Sequence, residues 1–360
     1  NSPFFKELAK KCELTVFYCY NPNEKEQGTG FGVSFKWDIP LLQCYNYKIL
    51  DDANFSYDNY SIIKELKKEN FDLVITFGWW FKTAKYALNY CNKKKIPIWV
   101  RGDSQLLINH LWKRYIKKLF FPKFLNKFDG FLSPGKRFKE YLNFYNISNN
   151  KIHFIPHFVD NDYFKQNNEL QNKENSVNIT QFLYCGKFVG KKRPNDFLKA
   201  LKKLDQSKVK GIFIGTGKLE TELKKYVKTN KLNVEFLGFV NQKDIPKLYA
   251  QSDCLILPSD GKETWGLVVN EAFACGTPAI VSNKCGCVPD LIDERLTGYS
   301  YECGNINELA SKMTTFINQK KSFFQLHLKK KLEVYNINFA VDSLLKAANE
   351  NARRINKKEY

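Results

Sequence analysis

The chain has 360 residues, of which 43% are hydrophobic and 15% aromatic, enough apolar material for two cores. Charged residues make up 26%, a normal globular share that excludes wholesale disorder. The 57 basic and 37 acidic side chains leave a net charge of +20, read either as a lysine-rich solvated surface or as an attraction for nucleotide sugars, anionic lipid or nucleic acid.

Short apolar runs alternate with helical patterns along the whole chain. The opening Asn1-Ser2-Pro3 leads directly into an apolar-periodic helix, Phe4 to Ala9, and the only methionine is Met313. That opening reads as a chain whose beginning is missing. Strands are expected at 14–18, 73–76, 98–100, 130–132 and 152–155 in the first half, and at 182–184, 211–214, 234–237, 254–257 and 279–281 in the second. Runs apolar on both sides suit strands covered on both faces, and the alternation of strand and helix argues for doubly wound parallel sheets. The polar stretch Gln166–Asn178 marks a domain boundary. The pattern Val341, Leu344, Leu345, Ala348 gives one amphipathic helix ending in a basic tail.

Ten cysteines occur without a CxxC pair or a Cys/His zinc spacing, and several lie inside apolar runs. This pattern points to a reducing, cytoplasmic setting. No apolar run reaches the roughly 18 residues that span a bilayer, and no secretory leader is visible. One segment, Leu111 to Tyr141, mixes Trp112, Phe120, Phe121, Phe124 and Phe128 with Lys113, Arg114, Lys117, Lys118, Lys123 and Lys127. A core face with a solvated basic face accounts for it, and so does a surface resting on anionic lipid at the inner membrane face.

The segment from Glu263 to Pro278 carries most of the chemistry. Two glutamates, Glu263 and Glu271, stand eight residues apart, with a glycine turn and a helix between them that closes at Gly276. Free N–H groups at Gly266, Leu267 and Val268 suit a phosphate. Glu271 is placed for the vicinal hydroxyls of a ribose, and Glu263 for those of a sugar. An ordinary strand–turn–helix with two surface acids has the same spacing.

The segment resembles the Glu-x7-Glu motif of glycosyltransferase family 4, and the resemblance continues in the family's order. Tyr184-Cys185-Gly186-Lys187-Phe188 with Lys191-Lys192-Arg193-Pro194 is similar to its Gly-Arg-Leu…Lys segment. Phe213 to Gly217 resembles its Gly-x-Gly turn, and Phe236 to Val240 the loop facing the nucleobase. Gly286 to Asp290 resembles its Gly-Gly-x-Pro-Glu segment, and Ile155 to Asp160 its Pro-Asn-Gly-Val-Asp linker. Lys187 stands where the family commonly has Arg, a point charge in place of a planar fork. Lys191, Lys192 and Arg193 compete for the second cationic role, with spacing favouring Lys192. Asp160-Asn161-Asp162 has the form of a metal-binding DxD but lies in the linker segment.

The resemblance implies a GT-B fold: two Rossmann-like parallel-sheet α/β domains facing a central cleft. The expected domains are 1–165 for the acceptor, lacking the family's first strand, 166–338 for the nucleotide-sugar donor, and a last helix, 339–360, returning to the first domain. It further implies a retaining, metal-independent hexosyltransferase with no cofactor beyond its nucleotide-diphosphate sugar, UDP favoured over GDP. Its acceptor would be a glycan, a lipid-linked glycan or a small molecule in surface polysaccharide or glycoconjugate synthesis. Glu263, Lys187, Lys192 and Asp103 are the catalytic candidates. Donor contacts fall to Gly186, Lys187, Lys192, Gly215, Gly217, Phe239, Val240, Glu263, Gly266, Leu267, Val268 and Glu271. Arg101 and Asp103, after a strand, are candidates for the acceptor. His110 and His157 are read as structural, and Gly28 to Gly32 as an acceptor loop, since it lacks the strand–GxGxxG–helix context. Another GT-B nucleotide-sugar enzyme, an epimerase or phosphorylase, and a non-catalytic binder of anionic surfaces or nucleic acid are the competing readings; the ordered motifs argue against a nucleic-acid partner.

Overall fold

The computed structural model describes residues 2–28, 42–106, 111–166, 179–319 and 321–356. Two compact units divide them: the first takes 2–22, 42–157 and 337–356, and the second 23–28 and 158–336. The division falls at 157/158 and 336/337, not at 165/166 and 338/339. The reason is local: the short helix Asn161–Lys165 buries Phe164 in the second core, and Asn161 donates to the Tyr335 carbonyl at 3.1 Å. The polar run 167–178 and the glycine-rich segment from Thr29 to Leu41 lie outside the described residues.

In the first unit, strands β1 (Thr15–Tyr18) and β2 (Asn46–Ile49) pair in parallel. Strands β3 (Val74–Phe77), β4 (Ile98–Arg101), β5 (Gly130–Ser133) and β6 (Ile152–Phe154) form a four-stranded parallel sheet in sequence order. β4 and β5 are buried throughout, as expected of inner strands with helices on their faces. The final helix, Ile337–Asn356, packs on the Ser2–Ala9 helix and on β6, where Phe339 meets Phe154 edge-on at 6.2 Å. Its buried positions Ala340, Val341, Leu344 and Ala347 recur at helical spacing and form the inward stripe.

The second unit holds a six-stranded parallel sheet of order β12-β11-β10-β7-β8-β9. Its strands are β7 (Thr180–Cys185), β8 (Val209–Ile214), β9 (Val234–Gly238), β10 (Cys254–Leu257), β11 (Ala279–Ser282) and β12 (Gly298–Tyr301). The core is aromatic on the β8 side: Phe213 stacks on Tyr184 at 5.2 Å and on Phe197 at 5.0 Å, all fully buried. Two strands were absent from the sequence reading. β2, Asn-Tyr-Lys-Ile, is half exposed and lies at a sheet edge; β12, Gly-Tyr-Ser-Tyr, is also an edge strand. Neither has a continuous apolar run: β2 holds Asn and Lys, and β12 Gly and Ser.

Candidate active site

The chain enters the larger sheet in its middle, at β7. It steps outward through β8 and β9, then returns to the other side of β7 as β10 and continues outward through β11 and β12. The sheet order therefore reverses between β7 and β10. At such a point the loops leaving neighbouring strands diverge, and a crevice opens at the carboxyl ends. The loops after β7 and β10 carry Lys187, Lys192, Glu263 and Gly266, and the helix that follows β10 carries Glu271.

After β7, Gly186 and Lys187 lead into a single 3-10 turn, Gly190–Lys192. The main chain ties this turn to the other loop: Asp260 N–H donates to the Lys191 carbonyl at 2.9 Å, and Glu263 N–H to the Asp260 carbonyl at 3.0 Å. Lys192 Nζ forms an ion pair with Glu263 Oε2, so a cation from one side of the reversal meets an acid from the other. Both side chains keep some exposure, 19% and 16%, so the pair borders solvent. Arg193 is committed elsewhere: its Nε donates to Asp196 Oδ2 at 2.6 Å, at the start of the helix Pro194–Leu201. Lys187 is partly buried, and burial together with the charges of Lys191 and Lys192 pushes its ammonium below the usual lysine value. Three lysines thus crowd one loop, an arrangement that a polyanion relieves.

After β10 the chain crosses to the helix Leu267–Ala274 through Gly266, which has φ +107°. No side chain caps this helix, so its first turn, which follows the loop of Lys192's partner Glu263, presents N–H groups and the positive dipole end. The loop before it is clamped from below: Gly286 N–H donates to the Glu263 carbonyl at 3.0 Å and Cys287 N–H to the Trp265 carbonyl at 3.1 Å. Inside the turn, Trp265 Nε1 donates to Asn270 Oδ1 at 2.8 Å, both residues buried. Glu271, one helical turn further, accepts from the Tyr249 hydroxyl at 2.8 Å. Burial raises its carboxyl above the ordinary glutamate range, while Tyr249 and Lys192 act in the opposite sense. One carboxylate oxygen is therefore held by Tyr249, and the group feels the charge of Lys192.

The turn after β8 closes the third side. Gly215 N–H donates to the Gly238 carbonyl at 2.7 Å, and a Cβ on Gly215 would stand 2.1 Å from the Gly186 carbonyl oxygen. Phe188 N–H donates to the Thr216 carbonyl at 2.8 Å, joining the Gly215–Gly217 turn to the lysine loop. Phe239 and Val240, half-buried, follow β9 on the far side of that turn.

In the first unit, Arg101 at the end of β4 is only 7% exposed. Its guanidinium donates to the Pro156 carbonyl at 3.0 Å and lies 3.4 Å from His157 Nδ1. Burial lowers its pKa to about 10, while Asp103 raises it. Burial and Arg101 hold His157 well below the ordinary histidine value, so it is neutral at physiological pH. Asp103 is partly exposed on the loop after β4. Asp160, first of the apparent DxD, accepts from Tyr163 N–H at 3.1 Å and caps the 161–165 helix. His110 lies outside the described residues. Sequence reasoning missed Tyr249, which holds Glu271, and Tyr184, whose hydroxyl donates to the Lys187 carbonyl at 3.0 Å. Tyr249 lies in a helix, Ile245–Gln251, with no pattern of its own, and only the packing of the helices before and after β10 brings it to Glu271.

The model of Glycosyltransferase Family 4 matches residues 4–163, and that of Glycosyl transferases group 1 matches residues 165–333. The chain belongs to glycosyltransferase family 4. Among relatives of this family 4 glycosyltransferase, N-acetyl-alpha-D-glucosaminyl L-malate synthase of Bacillus anthracis is 28% identical over 48% of the chain and 46% of the relative. The GalNAc-alpha-(1->4)-GalNAc-alpha-(1->3)-diNAcBac-PP-undecaprenol alpha-1,4-N-acetyl-D-galactosaminyltransferase of Campylobacter jejuni is 27% identical over 72% of the chain and 69% of the relative. HepE of Anabaena, solved in complex with UDP, superposes with a TM-score of 0.71 at 16% identity, covering 85% of this chain and 87% of that one. The fold of the family 4 enzyme is GT-B, with two parallel-sheet α/β units.

Proposed function

We propose that this glycosyltransferase moves a hexosyl group from a nucleoside diphosphate sugar, UDP favoured over GDP, with retention of anomeric configuration and without a bound metal or other cofactor. The observation that carries this reading is the Lys192–Glu263 pair across the sheet reversal, beside Lys187 and the uncapped helix start. Lys187, Lys192 and the N–H groups at Gly266, Leu267 and Val268 take the diphosphate. Glu271, braced by Tyr249, takes the ribose hydroxyls, and Glu263 both orients Lys192 and accepts from the transferred sugar. Gly186, Gly215 and Gly217 let the nucleotide approach the backbone, with Phe239 and Val240 beside the base. Asp103, and Arg101 as its support, are the acceptor-side residues of the first unit.

In the reaction the bond between the anomeric carbon and the diphosphate oxygen breaks and the electron pair leaves with the diphosphate. The acceptor hydroxyl oxygen bonds to the anomeric carbon on the same face, and its proton passes to the departing phosphate oxygen. The lysines and helix end stabilise the charge that grows on the leaving group, and each preorganised donor of this kind is worth about 3 kcal/mol. The acceptor is a glycan, a lipid-linked glycan or a small molecule, in surface polysaccharide or glycoconjugate synthesis on the cytoplasmic side. The names of the Campylobacter and Bacillus anthracis relatives, a glycan-undecaprenol transferase and a small-molecule transferase, support that range.

The test is UDP and GDP binding by calorimetry, followed by product analysis by NMR. Lys187→Ala is expected to weaken diphosphate binding about 100-fold. Glu271→Ala is expected to weaken nucleoside diphosphates about 10- to 100-fold while leaving inorganic pyrophosphate unaffected. Equal pyrophosphate loss in both variants would overturn the division of roles. Turnover in excess EDTA with a product of the same anomeric configuration as the donor is expected; inversion, or a metal requirement, would sink the mechanism. Release of a free epimerised sugar in place of transfer would favour the epimerase.

A further inference from the structure

The helix Leu111–Leu125 is apolar on two opposite sides. One side is structural: Phe121 packs edge-on against Tyr145 at 5.0 Å and Trp79 at 6.0 Å, and Leu125 is fully buried. The other side faces solvent. Trp112, Tyr115, Ile116, Leu119 and Phe120 are 63%, 60%, 53%, 75% and 73% exposed, and they follow the i, i+3, i+4, i+7, i+8 spacing of a single helical stripe. A soluble surface helix normally turns its charges outward and its stripe inward; here the stripe is the outermost feature.

The cations lie beside and beneath it. Lys117 Nζ sits 3.7 Å from the Phe121 ring centroid and donates to the Tyr141 hydroxyl at 3.0 Å. Lys118 Nζ lies 4.7 Å and the Arg114 guanidinium 5.6 Å from the Phe144 ring. At 100° per residue, Lys117 and Lys118 fall on opposite flanks of the stripe. The helix contains no aspartate or glutamate.

We infer that this stripe is a docking surface for an anionic lipid bilayer, with the five apolar side chains in the acyl boundary and the flanking cations at headgroup level. The charge pattern selects this occupant. A second copy of the same face would bring cation against cation, with no acid on the helix to answer them. Nucleic acid would meet an aliphatic and aromatic ridge before any positive charge, whereas a bilayer accepts the ridge and the flanks at their own depths. No described helix is long and apolar enough to cross a membrane, so the contact is one of lying on the surface. The inference stands apart from the donor reading, because docking needs neither a nucleotide nor turnover.

The experiment is flotation of the full chain with vesicles of phosphatidylglycerol and phosphatidylcholine, beside vesicles of phosphatidylcholine alone. Binding to the mixed vesicles is expected, reduced by high salt, with little binding to the neutral ones. Leu119→Glu combined with Phe120→Glu, both at highly exposed positions, should weaken binding at least tenfold while the UDP-induced thermal shift stays that of the parent. Equal binding by parent and variant, or equal binding to both vesicle types, overturns the inference. So does a parent that is dimeric by sedimentation velocity with a monomeric variant, which would assign the stripe to self-association. Loss of the UDP shift in the parent alone would count against the donor reading and leave the vesicle result standing.

Discussion

At the scale of single residues, the site depends on backbone positions that a side chain would destroy. Gly215 has φ +128°, and a Cβ there would collide with the Gly186 carbonyl oxygen, which is main chain and cannot swing away. Gly215→Ala is therefore expected to cost about 2–5 kcal/mol from strain and overpacking together. Urea denaturation followed in the second unit checks it; a midpoint equal to the parent's would show that the turn relaxes freely.

Lys187 makes a second prediction at this scale. Its ammonium is held below the usual 10.5 by burial and then by Lys191 and Lys192. Between the depressed value and 10.5 the unfolded chain carries more protons, so stability contributed here rises with pH. Diphosphate binding has the opposite sign. An anion favours the charged lysine, so binding takes up a proton and affinity falls as pH rises through the depressed value. Calorimetry of UDP binding at alkaline pH, in buffers of different ionisation enthalpy, should show proton uptake in the parent and less in Lys187→Met. Identical uptake in the two would discard the assignment.

At the scale of elements, legibility followed the continuity of apolar residues along the chain. Inner strands such as β10, Cys-Leu-Ile-Leu, are buried at every residue, and their continuous apolar runs announced them. β2 is polar and half exposed, and β12, although mostly buried, has a glycine and a serine in place of a continuous apolar run, so neither left such a signal. The Leu267–Ala274 helix was readable from its flanking glycines, Gly266 and Gly276, both at positive φ. The Leu111–Leu125 helix was readable only in part. Composition showed aromatic and basic residues mixed, but which of them faced outward depended on what Trp79, Tyr141, Phe144 and Tyr145 offered beneath.

At the scale of the whole molecule, the chain leaves the first unit at His157 and returns to it at Ile337. The first unit is thus closed by the last helix, whose Lys11–Asp342 ion pair and packing on the Ser2–Ala9 helix join opposite ends of the sequence. Truncation after Asn336 is expected to raise hydrogen exchange in residues 2–9 and 152–154 and leave the strands between 180 and 301 unchanged. Faster exchange throughout both units would contradict the division.

By itself the sequence determined the family, the parallel α/β character of both halves and the identities of the charged residues around the donor loops, because those are written in contiguous segments: strand, turn, helix start. Only the tertiary structure decided which residues meet. The pairing of Lys192 with Glu263 follows from β10 returning beside β7, and the bracing of Glu271 by Tyr249 from the packing of the helices before and after β10. Local propensity acts over a few residues, whereas strand order is set by how the whole sheet buries its two faces, and that is where distant loops acquire their neighbours.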